Sequence, residues 1–371
     1  MARHLFLVAA PDLTTDVLRA ALDGRQPLAV LPDGPAAVVE AARAVLRPEE
    51  PLEPGADLVV VTSGSTGGGR GVLLPASAVR ASAAATLDRI GGPGGWLLAL
   101  PVSSIAGLQV LARGILSDRP VTRLRRDEPL AVAVARLPAG RRYTSLVPTQ
   151  LRRYLDTEPD ALRGFEAILV GGAATDTALR ERARRAGVRV VTTYGMTETA
   201  GGCVYDGRPL DGVRLRVAEG VELAGPTVAL GYRLDPAATE AAFADGWFRT
   251  RDAGTLDADG RLTVTGRLDD VVVSGGVNVA PAAVESALRE HPRVADAVVF
   301  GRPDETWGQR VVAVVVPAAG TTPELGDLRS WVTARLGAPA APRQLHVLDA
   351  LPLLHTGKPD RHAVAALTPE V

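Results

Sequence analysis

A single lysine near the C-terminus is the first residue of this sequence whose type suggests chemistry. The 371 residues include 41 lysines and arginines together, and only Lys358 is a lysine. A preference for arginine codons explains why lysine is rare but not why it stands at position 358. Lysine is a compact point charge on a flexible stem, and it is a common ligand of phosphate. Lys358 therefore predicts a phosphate that other segments must hold.

A segment rich in glycine and hydroxyl side chains follows a predicted strand and could hold that phosphate. It contains Thr62, Ser63, Gly64, Ser65, Thr66 and Gly67. Backbone N–H groups of such concave loops bind anions, and the hydroxyls add donors. A flexible surface turn is an equally good interpretation of this composition taken alone. The segment is not a Walker A loop, because Arg70 is followed by Gly71 and not by serine or threonine.

A second segment, 191–199, carries an aromatic, a hydroxyl and a carboxylate after a predicted strand. Tyr194 can stack on a flat base, Thr197 can contact a phosphate and Glu198 can hold Mg²⁺ through oxygen. Taken alone, Tyr194 and Met196 are more typical of core or loop positions. The segment therefore indicates a nucleotide site only in combination with others.

Two more segments leave alternatives open. Asp252 follows a predicted strand, where an aspartate either caps a turn or accepts the hydroxyls of a ribose. Residues 266–279, which include Arg267, lie where the composition changes, so a plain domain boundary also explains them.

Short apolar strands alternate with helical stretches in the first half of the chain. The predicted strands are 58–62, 96–100, 143–147, 167–170 and 189–193, with helical patterns at 78–90 and 176–186. This alternation predicts an α/β domain with a largely parallel sheet. Short strands and Gly/Asp turns between 207 and 266 predict a small β-rich subdomain.

The pattern changes again after residue 270. Strands are predicted at 271–274, 297–300 and 310–316, and helices at 281–290 and near 324–336. We therefore predict an α/β protein with a large N-terminal domain, 1–267, that includes the β-rich subdomain. A small α+β domain, 268–371, follows it.

Composition excludes several classes of function. The formal net charge is −1, which gives no electrostatic reason to expect nucleic acid or an anionic membrane as partner. No apolar run approaches the roughly 20 residues that span a bilayer, and Pro11 interrupts the apolar start, which favours a strand over a signal peptide.

A single cysteine, Cys203, excludes an internal disulfide and predicts the cytoplasm. Histidine is missing from residues 5–290, which excludes a Ser-His-Asp nucleophile there.

In this order, the four segments and Lys358 resemble the adenylate-forming superfamily of acyl-CoA synthetases, peptide-synthetase adenylation domains and luciferases. The resemblance covers residues 57–363, nearly the whole chain. It implies a large N-terminal domain and a small mobile C-terminal domain that rotates about Asp269. It also implies Mg²⁺ as cofactor and ATP and CoA as co-substrates.

The resemblance assigns a role to each motif. Thr197 would contact the α-phosphate, Glu198 would hold Mg²⁺, and Lys358 would approach the α-phosphate and the reacting carboxylate. The residues implied in ATP binding are Thr62, Ser63, Gly64, Ser65, Thr66 and Gly67 at the β,γ-phosphates, Gly171, Gly172, Ala173, Thr193, Tyr194, Gly195 and Met196 at the adenine, and Asp252 with Arg267 at the ribose. The pantetheine channel is assigned to Ser274, Gly275 and Gly276, and the acyl pocket to Ser104 and Gly107.

The implied reaction has two steps. A substrate carboxylate attacks the α-phosphorus of ATP, releases diphosphate and forms an acyl-adenylate, and a thiol then displaces AMP. Such transfer depends on positioning and on charge neutralisation, so it needs no protein nucleophile. The resemblance therefore implies an acid–thiol ligase.

Within the superfamily, the chain is most similar to the o-succinylbenzoate–CoA ligases of menaquinone synthesis, in their short actinobacterial form. Segments 100–109, 145–151, 169–174 and 192–213 carry this similarity. The chain departs from the family where Ser103 and Ser104 stand in place of a histidine or aromatic, and where Gly69-Arg70 stands in place of Pro-Lys. Its short stretch before the phosphate loop implies a compact acyl substrate.

Two other functions stay open. A CoA ligase or carrier-protein adenylating enzyme for another small aryl acid is favoured by Ser103 and Ser104. A nucleotide-binding protein without catalysis is opposed by the intact Glu198, Asp252 and Lys358. The expected partners are a small carboxylate, ATP and CoA, with no nucleic acid and no membrane insertion, and the sequence is compatible with a homo-oligomer.

Overall fold

The computed structural model describes residues 3–62, 69–354 and 358–368. Internal contacts divide the chain into two units. The first comprises Met1–Thr175, Arg180–Arg216 and Glu222–Thr250, and the second comprises Asp176–Leu179, Val217–Val221 and Arg251–Val371. The domain boundary after residue 267 stays a prediction.

Strands and helices largely alternate as far as Met196, and mostly short strands follow up to Arg249. The strands are β1 (Phe6–Ala9), β2 (Leu28–Leu31), β3 (Leu58–Val61), β4 (Gly71–Leu74), β5 (Gly95–Leu98), β6 (Val121–Arg123), β7 (Arg142–Leu146), β8 (Ala167–Val170), β9 (Val190–Met196), β10 (Gly201–Tyr205), β11 (Arg208–Pro209), β12 (Arg214–Val217), β13 (Val221–Ala224), β14 (Gly231–Tyr232), β15 (Phe243–Ala244) and β16 (Trp247–Arg249). The helices are α1 (Thr15–Leu22), α2 (Ala36–Leu46), α3 (Ala76–Ile90), α4 (Ile105–Leu116), α5 (Leu130–Ala135), α6 (Pro148–Thr157), α7 (Pro159–Leu162), α8 (Thr177–Arg185) and α9 (Pro236–Ala242).

Two sheets of the first unit carry the predicted motifs. In one sheet the strand order is β1-β2-β3-β4-β14, and in the other it is β11-β10-β9-β8-β7-β5-β6. Strands β6, β5, β7, β8 and β9 run parallel, and β10 returns antiparallel. Parallel strands are covered on both faces and read as continuous apolar runs, as the wholly buried Ala167–Val170 does. The predicted α/β fold with a largely parallel sheet is confirmed.

Helix α4 packs so closely that one position excludes any side chain. Ser104 caps the helix, since its Oγ accepts from Gly107 N at 3.2 Å and donates to Pro101 O at 2.7 Å. A Cβ on Gly107 would lie 2.1 Å from Pro101 O. Only glycine fits there, because the obstructing atom belongs to the backbone.

The second unit consists largely of a sheet with helices on both faces. Its strands are β17 (Asp252–Leu256), β18 (Leu262–Arg267), β19 (Val272–Ser274), β20 (Val277–Val279), β21 (Val294–Asp304), β22 (Gly308–Pro317) and β23 (Gln344–Val347), and its helices are α10 (Pro281–Arg289), α11 (Leu325–Leu336) and α12 (Arg361–Leu367). The sheet order is β20-β19-β22-β21, with β23 beside β22. Alternate residues of β22 face opposite ways: Ala313 packs in the core that contains α10 and α11, and Val314 packs with Val364 of α12. The strands and helices predicted after residue 270 are confirmed.

Among the described residues, no helix is both long and apolar enough to cross a membrane.

Gly107→Ala should lower the free energy of unfolding by about 1–3 kcal/mol or more, because the added methyl overpacks a backbone contact. Gly326→Ala is the matched control, since Gly326 lies in α11 and a Cβ there would meet nothing within 4 Å. The control should gain about 0.5 kcal/mol from reduced freedom of the unfolded chain. Urea unfolding of both variants measures this, and equal stability of the two would contradict the packing argument.

Candidate functional site

The predicted phosphate loop connects two antiparallel strands, β3 and β4. Its base is closed by two residues: Thr62 N donates to Arg70 O at 2.9 Å, and Arg70 N donates to Thr62 Oγ1 at 3.3 Å. A Cβ on Gly69 would lie 2.3 Å from Thr62 O, so glycine is required beside this pair. The predicted ligands Ser63, Gly64, Ser65, Thr66 and Gly67 lie outside the described residues, and their phosphate contacts stay a prediction.

The carboxyl ends of β8 and β9 bring two of the predicted adenine segments together. Val170 lies opposite Thr192 in the parallel register, and Thr193 Oγ1 donates to Val170 O at 3.3 Å. A Cβ on Gly171 would lie 2.3 Å from Thr193 Oγ1. The next residue, Gly172, has φ +82°, which favours glycine. Ligands of α/β proteins bind at such carboxyl ends of strands.

The turn after β9 is a 3-10 helix, Thr197–Thr199, that presents Glu198. Thr199 Oγ1 accepts from Met196 N at 2.9 Å and lies 2.8 Å from Gly201 O. Position 195, just before the turn, requires glycine because a Cβ there would lie 2.2 Å from Gly201 O. Thr197 is buried and Tyr194 half-buried.

The side chain of Gln109 on α4 is hydrogen-bonded to the residue that ends this turn, and the sequence did not predict this contact. Ala200 has φ +50°, an uncommon conformation for a residue with a side chain. Gln109 Nε2 donates to Ala200 O at 2.7 Å and to Val79 O at 3.1 Å. The bond ties the strained residue to α4, so its conformation is determined by its surroundings.

Glu198 is held by β14, a strand that sequence reasoning also missed. Tyr232 Oη donates to Glu198 Oε1 at 3.0 Å, and Ala229 N donates to Glu198 O at 2.8 Å. Arg70 Cζ lies 5.1 Å from the centroid of the Tyr232 ring, within cation–π range. Burial and the neighbouring Glu198 carboxylate raise the pKa of Tyr232, which keeps its hydroxyl a donor. One tyrosine therefore contacts the carboxylate of the turn and the cation of the loop.

The residues at this turn fit a magnesium ion that arrives with a nucleotide. Within the described part of the chain, no group of three or more His, Cys, Asp or Glu residues could hold a metal. Mg²⁺ keeps several waters and is commonly bound by one or two carboxylates plus substrate phosphates. Glu198 offers one carboxylate of this kind, between Thr197 and Thr199 in the chain, and its role as the Mg²⁺ ligand stays a prediction.

In the second unit, the predicted ribose residue and the predicted hinge residue share one arginine. Asp252 and Arg267 lie opposite each other on β17 and β18, with 3.8 Å between Arg267 Nη1 and Asp252 Oδ1. Arg267 Nε and Nη2 donate to both oxygens of Asp269 at 2.8 and 2.9 Å. This hydrogen bonding lowers the pKa of Asp269 and raises that of Arg267. Arg251 adds a bond to Asp269 at 3.2 Å.

The predicted pantetheine segment is a tight hairpin turn between β19 and β20. Gly275 and Gly276 have φ +60° and +78°, as a two-residue type I′ turn requires. A Cβ on Gly275 would lie 2.8 Å from the Trp307 ring. Ser274 is fully buried beside the turn. The channel role of these three residues stays a prediction.

Lys358 stands on a segment that is held on both sides. Leu354 N donates to Lys358 O at 2.8 Å, and Asp360 N donates to Pro352 O at 2.8 Å. Leu353 and Pro359 form an isolated antiparallel bridge. The position of the lysine backbone is therefore fixed by pairing within the second unit.

The acyl-pocket candidates already have structural roles. Ser104 caps α4, and Gly107 admits the Pro101 carbonyl. Contact of either residue with an acyl group stays a prediction.

Comparison with known proteins identifies related enzymes across almost the full length. The AMP-binding enzyme family matches residues 8–230, and the AMP-binding enzyme C-terminal domain matches residues 283–358. A probable 2-succinylbenzoate–CoA ligase of Mycobacterium tuberculosis is 44% identical over 377 residues, which cover 98% of this chain and 97% of the relative.

Two solved structures of o-succinylbenzoate CoA synthetase from Bacillus subtilis are also similar. The complex with the acyl-adenylate intermediate OSB-AMP has a TM-score of 0.78 and 26% identity, and covers 97% of this chain and 82% of that one. The complex with ATP and magnesium ion has a TM-score of 0.76 and 26% identity, and covers 97% and 83%.

Tyr232→Phe should lower the free energy of unfolding by about 1.5–3 kcal/mol, because it removes a hydrogen bond to a charged carboxylate and keeps the ring under Arg70. Tyr154→Phe is the matched control: Tyr154 is also buried, and its Oη accepts from Arg153 Nη2 at 3.0 Å. Arg153 can turn toward water, so the control should lose less than about 1 kcal/mol. Urea unfolding compares them, and equal losses would argue against a special role of the Glu198 bond.

Proposed function

We propose that this chain, which belongs to the AMP-binding enzyme family, is an ATP-dependent carboxylate–CoA ligase. It converts 2-succinylbenzoate, ATP and CoA to 2-succinylbenzoyl-CoA, AMP and diphosphate, a step of menaquinone synthesis. The observation that carries the proposal is the 44% identity to a probable 2-succinylbenzoate–CoA ligase over 98% of the chain. The proposal is also supported by the Glu198 carboxylate, which is hydrogen-bonded to Tyr232 and follows a strand of the parallel sheet.

The nucleotide is bound by the motifs that the sequence singled out. In this proposal the loop that begins at Thr62 holds the β,γ-phosphates, and the segments at Gly171 and Thr193 hold the adenine. Thr197 contacts the α-phosphate, and Asp252, assisted by Arg267, accepts the ribose hydroxyls. Glu198 holds Mg²⁺, which offsets phosphate charge when bound.

The chemistry needs charge at the α-phosphate rather than a protein nucleophile. The acid's carboxylate oxygen attacks the α-phosphorus, the bond from that phosphorus to the α,β-bridging oxygen breaks, and diphosphate leaves. Lys358 offsets the charge on the α-phosphate and the incoming oxygen. The CoA thiolate then attacks the acyl carbon and AMP leaves. Burial raises the pKa of the Cys203 thiol to about 12, which makes it a poor nucleophile at neutral pH.

The second domain serves both steps. We propose that residues 268–371 rotate about Asp269 between adenylation and thioester formation. Ser274, Gly275 and Gly276 then line the path of the pantetheine thiol, and the segment at Ser104 and Gly107 lies at the acyl pocket. ATP and CoA as substrates, together with the free thiol of Cys203, support a cytoplasmic enzyme.

A second candidate is a ligase for another small aryl acid. It is favoured by Ser103 and Ser104, which stand where related enzymes usually carry a histidine or aromatic. The two candidates differ in the acid and not in the adenylation chemistry.

An acid panel should distinguish these candidates. ATP–diphosphate exchange should occur with 2-succinylbenzoate and should be at least about tenfold weaker with benzoate and salicylate, because a pocket built for polar groups rejects ligands that leave them unpaired. Omitting the acid is the control for background exchange. Exchange with the simple benzoates but not with 2-succinylbenzoate would favour the second candidate.

Lys358→Ala should lower ATP–diphosphate exchange by about 10²–10³-fold, the usual loss when one preorganised charge is removed from a transition state. Thioester formation from supplied acyl-adenylate should fall by less than about tenfold, because the α-phosphate has already been attacked. Each half-reaction is measured separately on the same preparation. Unchanged exchange would mean that Lys358 has no role in adenylation.

A further inference from the structure

Helix α12 begins three residues after Lys358, and its first residue is anchored to two other elements. Asp360 caps the helix, since Asp360 Oδ1 accepts from Ala363 N at 3.0 Å. Arg361 Nη1 donates to Val299 O on β21 at 2.9 Å, and Arg361 Nη2 donates to Glu285 Oε1 on α10 at 2.5 Å. On its C-terminal side, the segment that carries Lys358 is therefore tied to β21 and α10 by the Arg361 guanidinium, in addition to the backbone pairing of Pro352 with Asp360.

The carboxylate that receives Arg361 is buried. The Glu285 side chain is only 7% exposed, and its Oε1 also accepts from Val299 N at 2.9 Å. Arg289 Nη2 lies 3.4 Å from the other oxygen. Buried charges are costly to leave unpaired, so the pairing of Glu285 with Arg361 holds the guanidinium at a defined position.

Arg361 also faces the residue next to the proposed hinge. Arg361 Nη1 lies 3.6 Å from Asp270 Oδ2, and Asp270 N donates to Arg267 O at 3.4 Å. Asp270 follows Asp269, whose carboxylate is held by the Arg267 fork. Within the second unit, Arg361 therefore contacts the chain neighbour of the proposed hinge residue on one side and begins the helix that follows the lysine segment on the other.

The opposite end of α12 is anchored by a different arginine. Arg302 is buried, and its Nη2 donates to Ala365 O at 3.1 Å and to Thr368 Oγ1 at 3.2 Å. Arg302 and Arg361 thus stabilise the same helix, but only Arg361 lies beside Lys358 in sequence and contacts Asp270.

We infer that Arg361 is a positioning residue for Lys358 in the adenylating half-reaction. The inference rests on the proposed function. Arg361 touches neither the nucleotide nor the acid in this scheme. It acts by fixing the segment Lys358 stands on against Glu285 and Asp270, so that the lysine arrives at one position rather than several.

The test compares Arg361→Gln with Arg302→Gln in the full-length enzyme. For each variant, ATP–diphosphate exchange and thioester formation from supplied acyl-adenylate are measured and divided by the folded fraction. Arg361→Gln should lower exchange by about 10²-fold, as expected for a small misplacement of a reacting group, with thioester formation within a few-fold of wild type. Arg302→Gln should lower thermal stability and leave the ratio of the two half-reactions unchanged.

Arg361→Lys keeps the charge without the planar fork, and it should recover part of the exchange activity. It also replaces Arg361→Gln if that variant does not fold, in which case an exchange loss of about tenfold with intact thioester formation is expected. Equal losses in the two half-reactions, or the same ratio in the Arg302 and Arg361 variants, would overturn the inference. If wild-type enzyme fails to exchange with 2-succinylbenzoate, the substrate proposal fails instead, and the comparison proceeds with whichever acid supports exchange.

Discussion

The hydrogen bond from Tyr232 to Glu198 is the interaction on which the site of the first unit depends. Strand β4 pairs on one side with β3, which leads into the phosphate loop at Thr62, and on the other side with β14, which carries Tyr232. Glu198 comes from the other sheet, at the end of β9. The Tyr232 hydroxyl and the Ala229 N–H therefore both join the turn of one sheet to the other sheet, and the Tyr232 ring lies within cation–π range of Arg70. The bond restrains one oxygen of the Glu198 carboxylate, on a turn too short to hold a glutamate rotamer by its backbone alone.

The second unit positions its groups with arginine forks. Arg267 directs two donors to Asp269, and Arg361 directs its donors to Glu285 and Val299. Planar guanidinium groups suit this task because their donors match carboxylates in a fixed geometry. The compact ammonium group of a lysine is better suited to neutralising the negative charge of a phosphate. The single lysine of a sequence so rich in arginine stands at the position where this second task is proposed.

The sequence predicted elements well and contacts between distant elements poorly. Strand β8 has the predicted bounds, and α10 differs from its prediction by one residue, because apolar runs and a proline at the first turn are local signals. The meeting of Gly171 with Thr193 was also predictable, since Gly171 follows β8 and Thr193 lies on the neighbouring parallel strand β9. Tyr232, Gln109 and Arg361 were not, because their partners lie 34, 91 and 76 residues away. Periodicity carries no information about which distant hydroxyl or guanidinium will reach a given carboxylate.

The hydrogen bonds of Ser104 bear on which side chains can bind the carboxylic acid substrate of the proposed reaction. A hydroxyl has one proton, and that of Ser104 is donated to Pro101 O, while its oxygen accepts from Gly107 N. Donating to a substrate carboxylate would require breaking the bond to Pro101 O, the same carbonyl that leaves no space for a Cβ on Gly107. In the proposed acyl pocket, Ser104 therefore does not act as a ligand in place of the histidine or aromatic of related enzymes. If the acyl pocket lies here, as proposed, the donor to the second carboxylate of a dicarboxylic acid is a residue other than Ser104.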